Sequence, residues 1–229
     1  TDITVNWTAS SGATGYRLDV STESDFETGG GANYSVDFEG ATETNGSYAG
    51  YTGTLGGKQW YTTNSLIGTT ASDWKNGARS ARMRGYGTSA MTMIEDIAEG
   101  LGTLSFSYRR YGTDAQVDWV AEYSTNGGAN WTQIGSSFTA PASDVVQSFS
   151  EVVNVSGNVR VRIKRATETG TSNARLNIDD IVMTPVAVPS YVSGYENLAV
   201  AGTSQSVTGL SEATTYYFRV RAEGDGGCP

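Results

Sequence analysis

Short runs in which apolar and polar residues alternate extend through nearly the whole sequence, with turn-forming residues between them. The clearest run is VRVRIK at 159–164, where every second residue is Val or Ile. A period of two places successive side chains on opposite faces of a β-strand. The 29 glycines supply tight turns, and only 17% of the residues are charged, unlike helical proteins rich in Glu and Lys. The sequence therefore predicts an all-β protein with little helix.

Composition excludes several classes of function. The chain has no histidine, the commonest general base and a usual zinc ligand, which excludes most hydrolase mechanisms. Cys228 is the only cysteine, so neither an internal disulfide nor a multi-cysteine metal site can form. The net charge of −9 opposes binding to nucleic acid. The sequence also lacks an apolar run of about 18 residues, so we expect no membrane insertion.

The two ends of the sequence predict strands that cannot close a sandwich separately. The first 26 residues predict two strands, and the segments 191–200, 205–210 and 216–221 predict three more. Between them lie roughly 160 residues, far too many for a structureless loop. We therefore expect the middle of the chain to be a nested domain, whose adjacent termini allow its insertion into another domain.

Read together, the two ends resemble bacterial fibronectin type III domains. The segments that carry this resemblance are DITVNWTASSGATGYRLDVSTESDF and SYVSGYENLAVAGTSQSVTGLSEATTYYFRVRAEG. The resemblance implies that Trp7 is the buried tryptophan of strand B and that Leu210 and Tyr216 form a tyrosine corner, in which the hydroxyl bonds to the backbone. It predicts a discontinuous fibronectin type III-like domain at 1–26 and 189–229, interrupted by an inserted domain at 27–188.

The insert shows strand patterns at regular spacing, which favours an antiparallel sandwich of two sheets. The sequence NGGAN after Ser124 is a hairpin signal between two of the predicted strands. Ten strands are predicted, at 34–38, 58–61, 80–84, 90–94, 102–108, 116–124, 131–136, 145–153, 159–164 and 176–183.

The insert resembles the jelly-roll domains attached to many secreted bacterial enzymes and adhesins. The motifs that carry this resemblance are DFEG at 37–40, NGARSAR at 76–82, VDWVAEYSTNGGANWTQIG at 117–135 and LNIDDIVMTP at 176–185. The resemblance implies a nested antiparallel jelly-roll β-sandwich, a secreted or cell-surface location, and attachment to other domains of a longer polypeptide.

The same resemblance implies a structural Ca²⁺ site. In related jelly rolls an acidic residue after the first strand meets one near the last strand, which here are Glu39 and Asp180 or Asp179. Ligation by oxygen alone suits a hard cation such as Ca²⁺. The alternative is that Glu39 caps a turn and that both aspartates are partly solvated.

Five cations on two predicted strands form a candidate ligand site. Arg160, Arg162 and Lys164 share one face of their strand, and Arg82 and Arg84 share one face of another. If the two strands adjoin, all five cations lie on one sheet face, where arginine can bind sulfate or carboxylate groups of a sugar bidentately. The alternative is that these cations pair across strands with carboxylates such as Asp118, Glu122 or Glu151.

Aromatic residues supply the second part of the candidate site, because sugars stack their apolar faces on exposed rings. Most of the rings are expected in the core, including Trp119 and Trp131. Trp74, in the loop SDWKNG, is expected to be exposed, as are Tyr108, Arg110 and Tyr111 in the segment YRRYG.

These patterns predict a non-catalytic carbohydrate-binding module of a larger secreted protein, with a preference for sulfated or uronate-containing polysaccharide. The alternative is a structural or adhesive cell-surface spacer that contacts other proteins. A glycosidase is not favoured, because Asp118 and Glu122, four residues apart on one strand, would lie roughly 13 Å apart. Paired catalytic carboxylates lie about 5.5 Å apart in retaining and about 6.5–9.5 Å apart in inverting enzymes.

Overall fold

A computed structural model describes residues 1–24, 26, 31–40, 42–186 and 190–224. The described residues form strands and turns, and no helix long and apolar enough to cross a membrane is found among them. The prediction of an all-β, antiparallel protein is confirmed. The strands are β1 (Ile3–Asn6), β2 (Gly15–Ser21), β3 (Tyr34–Val36), β4 (Tyr51–Leu55), β5 (Lys58–Thr63), β6 (Ser65–Gly68), β7 (Ser80–Met83), β8 (Ala90–Met93), β9 (Leu101–Arg110), β10 (Trp119–Ser124), β11 (Thr132–Phe138), β12 (Gln147–Val155), β13 (Arg160–Arg165), β14 (Leu176–Thr184), β15 (Leu198–Val200), β16 (Ser204–Val207) and β17 (Tyr217–Glu223).

The chain divides into two compact units. The split unit consists of Thr1–Gly30 and Ala187–Pro229, and the continuous unit is Gly31–Val186. The boundary positions 27, 188 and 189 and the cysteine at 228 lie outside the described residues. Each unit has a hydrophobic core of its own.

The split unit contains a three-stranded sheet, β15-β2-β17, and a separate pair, β1-β16. Tyr16, Leu18 and Val20 alternate along β2 and are buried, as their period of two requires. Trp7 is half-buried rather than buried, with its ring centroid 5.5 Å from that of Tyr16. The Tyr216 hydroxyl accepts a hydrogen bond from the backbone N–H of Ser211 at 2.9 Å. The assignment of this unit to fibronectin type III domains stays a prediction.

The continuous unit contains two large antiparallel sheets. The first has the order β11-β10-β13-β8-β5-β4, and the second has the order β12-β9-β14-β7-β6, with β3 also paired to β14. The NGGAN turn joins β10 to β11, which pair as a hairpin. Two strands, β4 and β6, were not predicted, because YTGTL and SLIG are short and lack the alternation of large apolar residues that identifies the others.

Inward side chains from both sheets form one core. Trp60, Trp119 and Ile163 belong to the first sheet, Leu104 and Phe106 to the second, and all five are almost completely buried. Complete burial of such a side chain contributes roughly 1.5–3 kcal/mol. Because each is preceded and followed by a residue of the opposite face, the outer faces of the sheets carry the polar residues of the same strands.

An irregularity in β14 positions two acidic side chains. β14 pairs with β7 through residues 176–178 and with β3 through 181–183, and its register with β9 shifts between Asp179 and Val182. Asp180 lies at this shift with a φ of 51°, which is uncommon for a residue other than glycine. The change of neighbouring strand therefore places the Asp179-Asp180 pair in a bulge.

We expect residues 31–186 to fold when expressed without the split unit. The physical reason is that the core of the continuous unit is formed by its own side chains, so excision removes none of them. Thermal or urea unfolding followed by near-ultraviolet circular dichroism should show one cooperative transition. A fragment without near-ultraviolet signal, or with a gradual transition, would contradict this expectation.

Candidate functional site

The five predicted cations do not share one sheet face. Arg82 lies on β7 and Arg84 directly follows it, and β7 belongs to the second sheet. Arg160, Arg162 and Lys164 lie on β13 in the first sheet. The predicted shared face required the two strands to be neighbours, and that prediction is therefore wrong. Alternation assigned each side chain to the outer face of its strand, but it contains no information on which strands become neighbours.

Most of these cations are paired with carboxylates. On the first sheet, Arg162 pairs with Glu122, Arg160 with Asp96 at 2.5 Å, and Lys164 with Glu168 at 2.8 Å. On the second sheet, Arg82 pairs with the buried carboxylate of Asp73 at 3.2 Å. Cross-strand pairing, the alternative considered from the sequence, thus describes Arg162 and Glu122. Arg84 has no carboxylate partner among the described residues, and its guanidinium carbon lies 3.8 Å from the Tyr48 ring centroid and 5.1 Å from that of Tyr86.

The residues of the YRRYG segment have different environments. Tyr108 is 8% exposed and packs against Phe138, with ring centroids 4.8 Å apart, so its predicted exposure is wrong. Its side chain points into the core because it is an even step along β9 from Leu104 and Phe106. Arg110 is 14% exposed and lies 3.5 Å from Asp144. Tyr111 is half-buried between Arg82 and Arg175, whose guanidinium carbons lie 4.8 and 3.9 Å from its ring centroid.

The loop that contains Trp74 is held by the motifs DFEG and LNIDD. Asn177 accepts a hydrogen bond from the backbone N–H of Trp74 at 3.1 Å, and Asp179 accepts one from that of Asn76 at 2.8 Å. Glu39 Oε1 accepts two more, from Ala78 at 2.8 Å and Arg79 at 2.9 Å. Trp74 itself is half-buried. These motifs therefore meet in space, and their side chains accept hydrogen bonds from the backbone N–H groups of one loop.

The predicted Ca²⁺ ligands come together around this loop, but their oxygens are already used in part. Asp180 Oδ2 accepts from Asn76 Nδ2 at 2.9 Å, and Asp179 Oδ1 accepts from the N–H of Asp180 at 2.9 Å. Glu39 caps the turn at 77–79, as the alternative interpretation held, whereas Asp179 is fully buried rather than partly solvated. Within the described ranges, no group of three or more acidic or cysteine side chains is arranged to hold a metal ion. The Ca²⁺ site stays a prediction.

Titration with CaCl₂ tests this prediction. A bound ion stabilises the native state by mass action, so Ca²⁺ should raise the melting temperature and excess chelator should lower it again. The variant Glu39→Gln retains a carbonyl acceptor for the turn but removes the charge, and it should abolish the response to Ca²⁺. A melting temperature that is the same with Ca²⁺ and with chelator in the wild type would contradict the site.

Asp179 should make stability depend on pH. The pKa of its carboxyl is raised to about 7, mainly by burial and in smaller part by the nearby charges of Asp180 and Glu39, against the opposing effect of the hydrogen bonds from the backbone of Asn76 and Asp180. Since the folded pKa lies above the unfolded value of 3.8, the native state binds the proton more tightly. The contribution of Asp179 to stability is therefore fully present below about pH 4 and is lost as the pH rises through 7.

Urea unfolding of residues 31–186 between pH 4 and pH 8 measures this effect. The variant Asp179→Asn cannot ionise, so its unfolding free energy should fall less than that of the wild type over this range. The exposed carboxylate Asp144 provides a control, since Asp144→Asn should keep the wild-type pH dependence. Equal slopes for Asp179→Asn and the wild type would show that Asp179 does not titrate in this range.

A row of side chains crosses the outer face of the first sheet. Cross-strand pairing aligns Tyr61 of β5 with Thr92 of β8, and Thr92 with Arg162 of β13. The alignment continues to Glu122 of β10 and Gln133 of β11. Thr52 of β4 lies opposite Tyr61 at the other edge. We call these six residues the outer row. It extends for about 24 Å, since neighbouring strands are about 4.8 Å apart.

Two aromatic rings flank the polar part of the outer row. Tyr61 is 43% exposed, and a Cβ atom at Gly50 would overlap its hydroxyl, so glycine at this position lets the ring lie over the edge of the sheet. Trp131, directly before β11, is half-buried, and its ring centroid lies 4.3 Å from the guanidinium carbon of Arg162. Arg162 is thus held by the Trp131 ring and by Glu122, which limits its motion.

Sequence reasoning did not select Tyr61 or Trp131 as binding residues. Trp131 was assigned to the core because it follows a tight turn. Tyr61 directly follows Trp60, and alternation alone does not say which of the two rings faces inward. One signal was present in the sequence: Thr63, two residues after Tyr61, is polar, which favours the outer face for Tyr61. The structure agrees, because Trp60 is the ring that is completely buried.

No family model and no curated protein matches the sequence. Among solved structures, the CBM22-1 xylan-binding domain from Paenibacillus barcinonensis Xyn10C is 12% identical with a TM-score of 0.45, and the match covers 67% of this chain and 94% of that chain. The K2 cleaved adhesin domain of Lys-gingipain is 14% identical with a TM-score of 0.47, over 67% and 98%. CBM35 from Paenibacillus barcinonensis is 15% identical with a TM-score of 0.38, over 67% and 98%. These similarities are too low to assign a ligand to this chain.

Proposed function

We propose that the continuous unit is a non-catalytic carbohydrate-binding module that binds polysaccharide across the outer row. The observation that carries this proposal is an exposed ring, Tyr61, and a second ring, Trp131, on one sheet face with hydroxyl, guanidinium, carboxylate and amide groups between them. Rings stack on the C–H faces of sugars, and polar groups bind the hydroxyls. Tyr61 and Arg162 lie two strands apart, about 10 Å, so a chain of several sugar units can contact both.

The fixed geometry of Arg162 supports this proposal. A side chain that is already held between Trp131 and Glu122 loses little conformational freedom when a ligand binds, which favours affinity. The carboxylate of Glu122 serves as the partner of Arg162 rather than as an acid or base. Together with the absence of histidine from the chain, this pairing favours binding over catalysis.

The charge of the preferred polysaccharide depends on whether a cation is free to contact it. On the first sheet, Arg160, Arg162 and Lys164 each have a carboxylate partner, so the outer row favours a neutral chain. Arg84, directly after β7 of the second sheet, is the position that would contact a sulfate or uronate group, because it has no carboxylate partner in the described part of the chain. A preference for anionic polysaccharide stays a prediction that rests on Arg84.

Binding to a panel of soluble polysaccharides tests the proposal. Isothermal titration at two salt concentrations should include neutral β-glycans, a polyuronate and a sulfated polysaccharide. Neutral chains bound through rings should keep their affinity as salt rises, whereas binding to exposed cations should weaken, because the Debye length falls from about 10 Å at 0.1 M to about 3 Å at 1 M. Binding to none of these polysaccharides would overturn the proposal and favour a spacer that contacts other proteins.

The setting that we propose for this module is extracellular. It would act as an accessory part of a larger secreted or cell-surface protein, where the split unit joins it to other domains of the same polypeptide. In this role its contribution is affinity for a polysaccharide surface, not turnover.

A further inference from the structure

One cation of the continuous unit lacks a polar partner. The chain has 15 Lys and Arg residues, and Arg84 is the one whose side chain forms neither a hydrogen bond nor an ion pair with a described residue. Lys75, Arg79 and Arg165 donate to backbone oxygens, and the others pair with carboxylates. A guanidinium has several N–H donors and no acceptor, so Arg84 retains its full capacity to bind an acceptor from a ligand.

The donors of Arg84 reach the protein surface. Among the described residues, the unpartnered Nε atoms of Arg82, Arg109, Arg110 and Arg165 are buried, but no nitrogen of Arg84 is buried in this way. The residue as a whole is half-buried. A ligand can therefore contact the N–H groups of Arg84 without a rearrangement of the fold.

Two tyrosine rings hold the Arg84 guanidinium. Its carbon lies 3.8 Å from the ring centroid of Tyr48 and 5.1 Å from that of Tyr86. A ring attracts the face of a guanidinium, whereas the N–H groups of the guanidinium point outward in its plane. Stacking therefore restricts the motion of Arg84 and leaves its in-plane donors for an acceptor.

The charge of Arg84 is not compensated by an ion pair. Arg82, whose guanidinium carbon lies 5.8 Å from the same Tyr48 centroid, is paired with the buried carboxylate of Asp73 at 3.2 Å. Arg84 has no such partner in the part of the chain that the structure describes. Although the chain carries a net charge of −9, this position is locally positive and favours an anion.

Asn64 connects Arg84 to an exposed hydroxyl. The backbone oxygen of Asn64 accepts a hydrogen bond from the Arg84 N–H at 2.9 Å, and Asn64 Nδ2 donates to Thr88 Oγ1 at 2.8 Å. Thr88 is exposed, and its hydroxyl proton remains available to a ligand. The surroundings of Arg84 thus offer a sugar both aromatic rings and a hydroxyl group.

Residues 48–50 bring Arg84 close to the Tyr61 end of the outer row. Arg84 lies against the Tyr48 ring, and a Cβ atom at Gly50 would lie 2.3 Å from the Tyr61 hydroxyl. The Cα atoms of Tyr48 and Gly50, two residues apart, are separated by about 7 Å at most. A short oligosaccharide can therefore extend from Tyr61 to Arg84.

We propose that Arg84, with Tyr48 and Tyr86, binds the carboxylate of a uronate unit. This inference rests on the proposed function, which supplies the polysaccharide, and it adds the acidic unit that the outer row does not bind. Parallel N–H groups of one guanidinium match the two oxygens of a carboxylate. A sulfate ester has three charged oxygens, so Arg84 would leave one of them without a partner.

Three monosaccharides test this preference on the wild-type chain. Methyl glucuronide, glucose 6-sulfate and methyl glucoside should be titrated separately, with the Nε–H signal of Arg84 followed by NMR. We expect saturable shifts with methyl glucuronide, about fivefold weaker binding of glucose 6-sulfate, and no saturable shift with methyl glucoside. The absence of saturable shifts with methyl glucuronide, or equal binding of either of the other two sugars, would overturn the proposal.

Two substitutions assign the preference to Arg84, with the ring signals of Tyr86 followed by NMR. Arg84→Met retains an apolar side chain against Tyr48 but removes the charge, and it should abolish glucuronide binding. Arg84→Lys keeps the charge but loses the parallel donors, and it should weaken binding about fivefold. The matched control is Lys58→Met, which removes a cation that is already paired with Glu95 and should leave the affinity unchanged. Wild-type affinity in Arg84→Met or in Arg84→Lys would overturn the uronate assignment.

Binding of a neutral polysaccharide, measured on the same proteins, separates this site from the outer row. Arg84→Met should bind the neutral chain as the wild type does, and Tyr61→Ala should retain its response to methyl glucuronide. Binding of neutral polysaccharide without binding of methyl glucuronide would overturn this inference alone. Binding of methyl glucuronide at Arg84 without binding of any polysaccharide would support the Arg84 site and overturn the proposed function.

Discussion

Replacing Tyr61 with alanine is expected to lower the affinity for a bound polysaccharide at least tenfold, equivalent to about 1.4 kcal/mol. Tyr61 is the most exposed ring of the outer row, and its position over Gly50 is held before any ligand arrives. The substitution removes a stacking surface from an exposed site, so the fold should remain. Trp131→Ala should cause a comparable loss, since it removes the second ring and releases Arg162.

The matched control for Tyr61 is Tyr217, which is 39% exposed and lies in the split unit. Tyr217→Ala should leave the affinity unchanged. Gly50→Ala is a second test of position, because its Cβ would displace the Tyr61 ring without removing it, and the affinity should fall between those of the wild type and Tyr61→Ala. If Tyr61→Ala binds every polysaccharide as the wild type does, the outer row is not the binding surface.

Replacing Asn177 with leucine is expected to destabilise the continuous unit by about 3 kcal/mol. Asn177 is completely buried, donates to Asp73 Oδ1 at 2.9 Å and Ser80 Oγ at 3.1 Å, and accepts from the N–H of Trp74. Leucine has a similar size but can make none of these bonds. It would leave a buried carboxylate oxygen and a backbone N–H without their partner.

Urea unfolding of the wild type and the variant measures this loss. The exposed residue Asn173 provides a control, and Asn173→Leu should change the unfolding free energy by less than about 0.5 kcal/mol. Hydrogen exchange gives a second measurement, since the Trp74 amide should exchange faster in Asn177→Leu. A loss smaller than about 1 kcal/mol would show that the loop at 73–79 contributes little to the fold.

The candidate site shows where prediction from sequence ended. The period of two correctly placed Arg160, Arg162 and Lys164 on the outer face of β13. It could not show that Glu122 lies opposite Arg162, because their pairing joins residues 40 positions apart in the chain. For the same reason it could not show that β7 and β13 belong to different sheets.

The sequence by itself determined the all-β class, the strands with strong alternation and the face on which most of their side chains lie. These properties follow from the geometry of a single strand, so local residues suffice to predict them. Only the tertiary structure decided that Tyr61 and Trp131 flank the polar part of one row and that Tyr108 is in the core. The order of strands in a sheet is set by packing between segments distant in the chain, and no local pattern encodes that order.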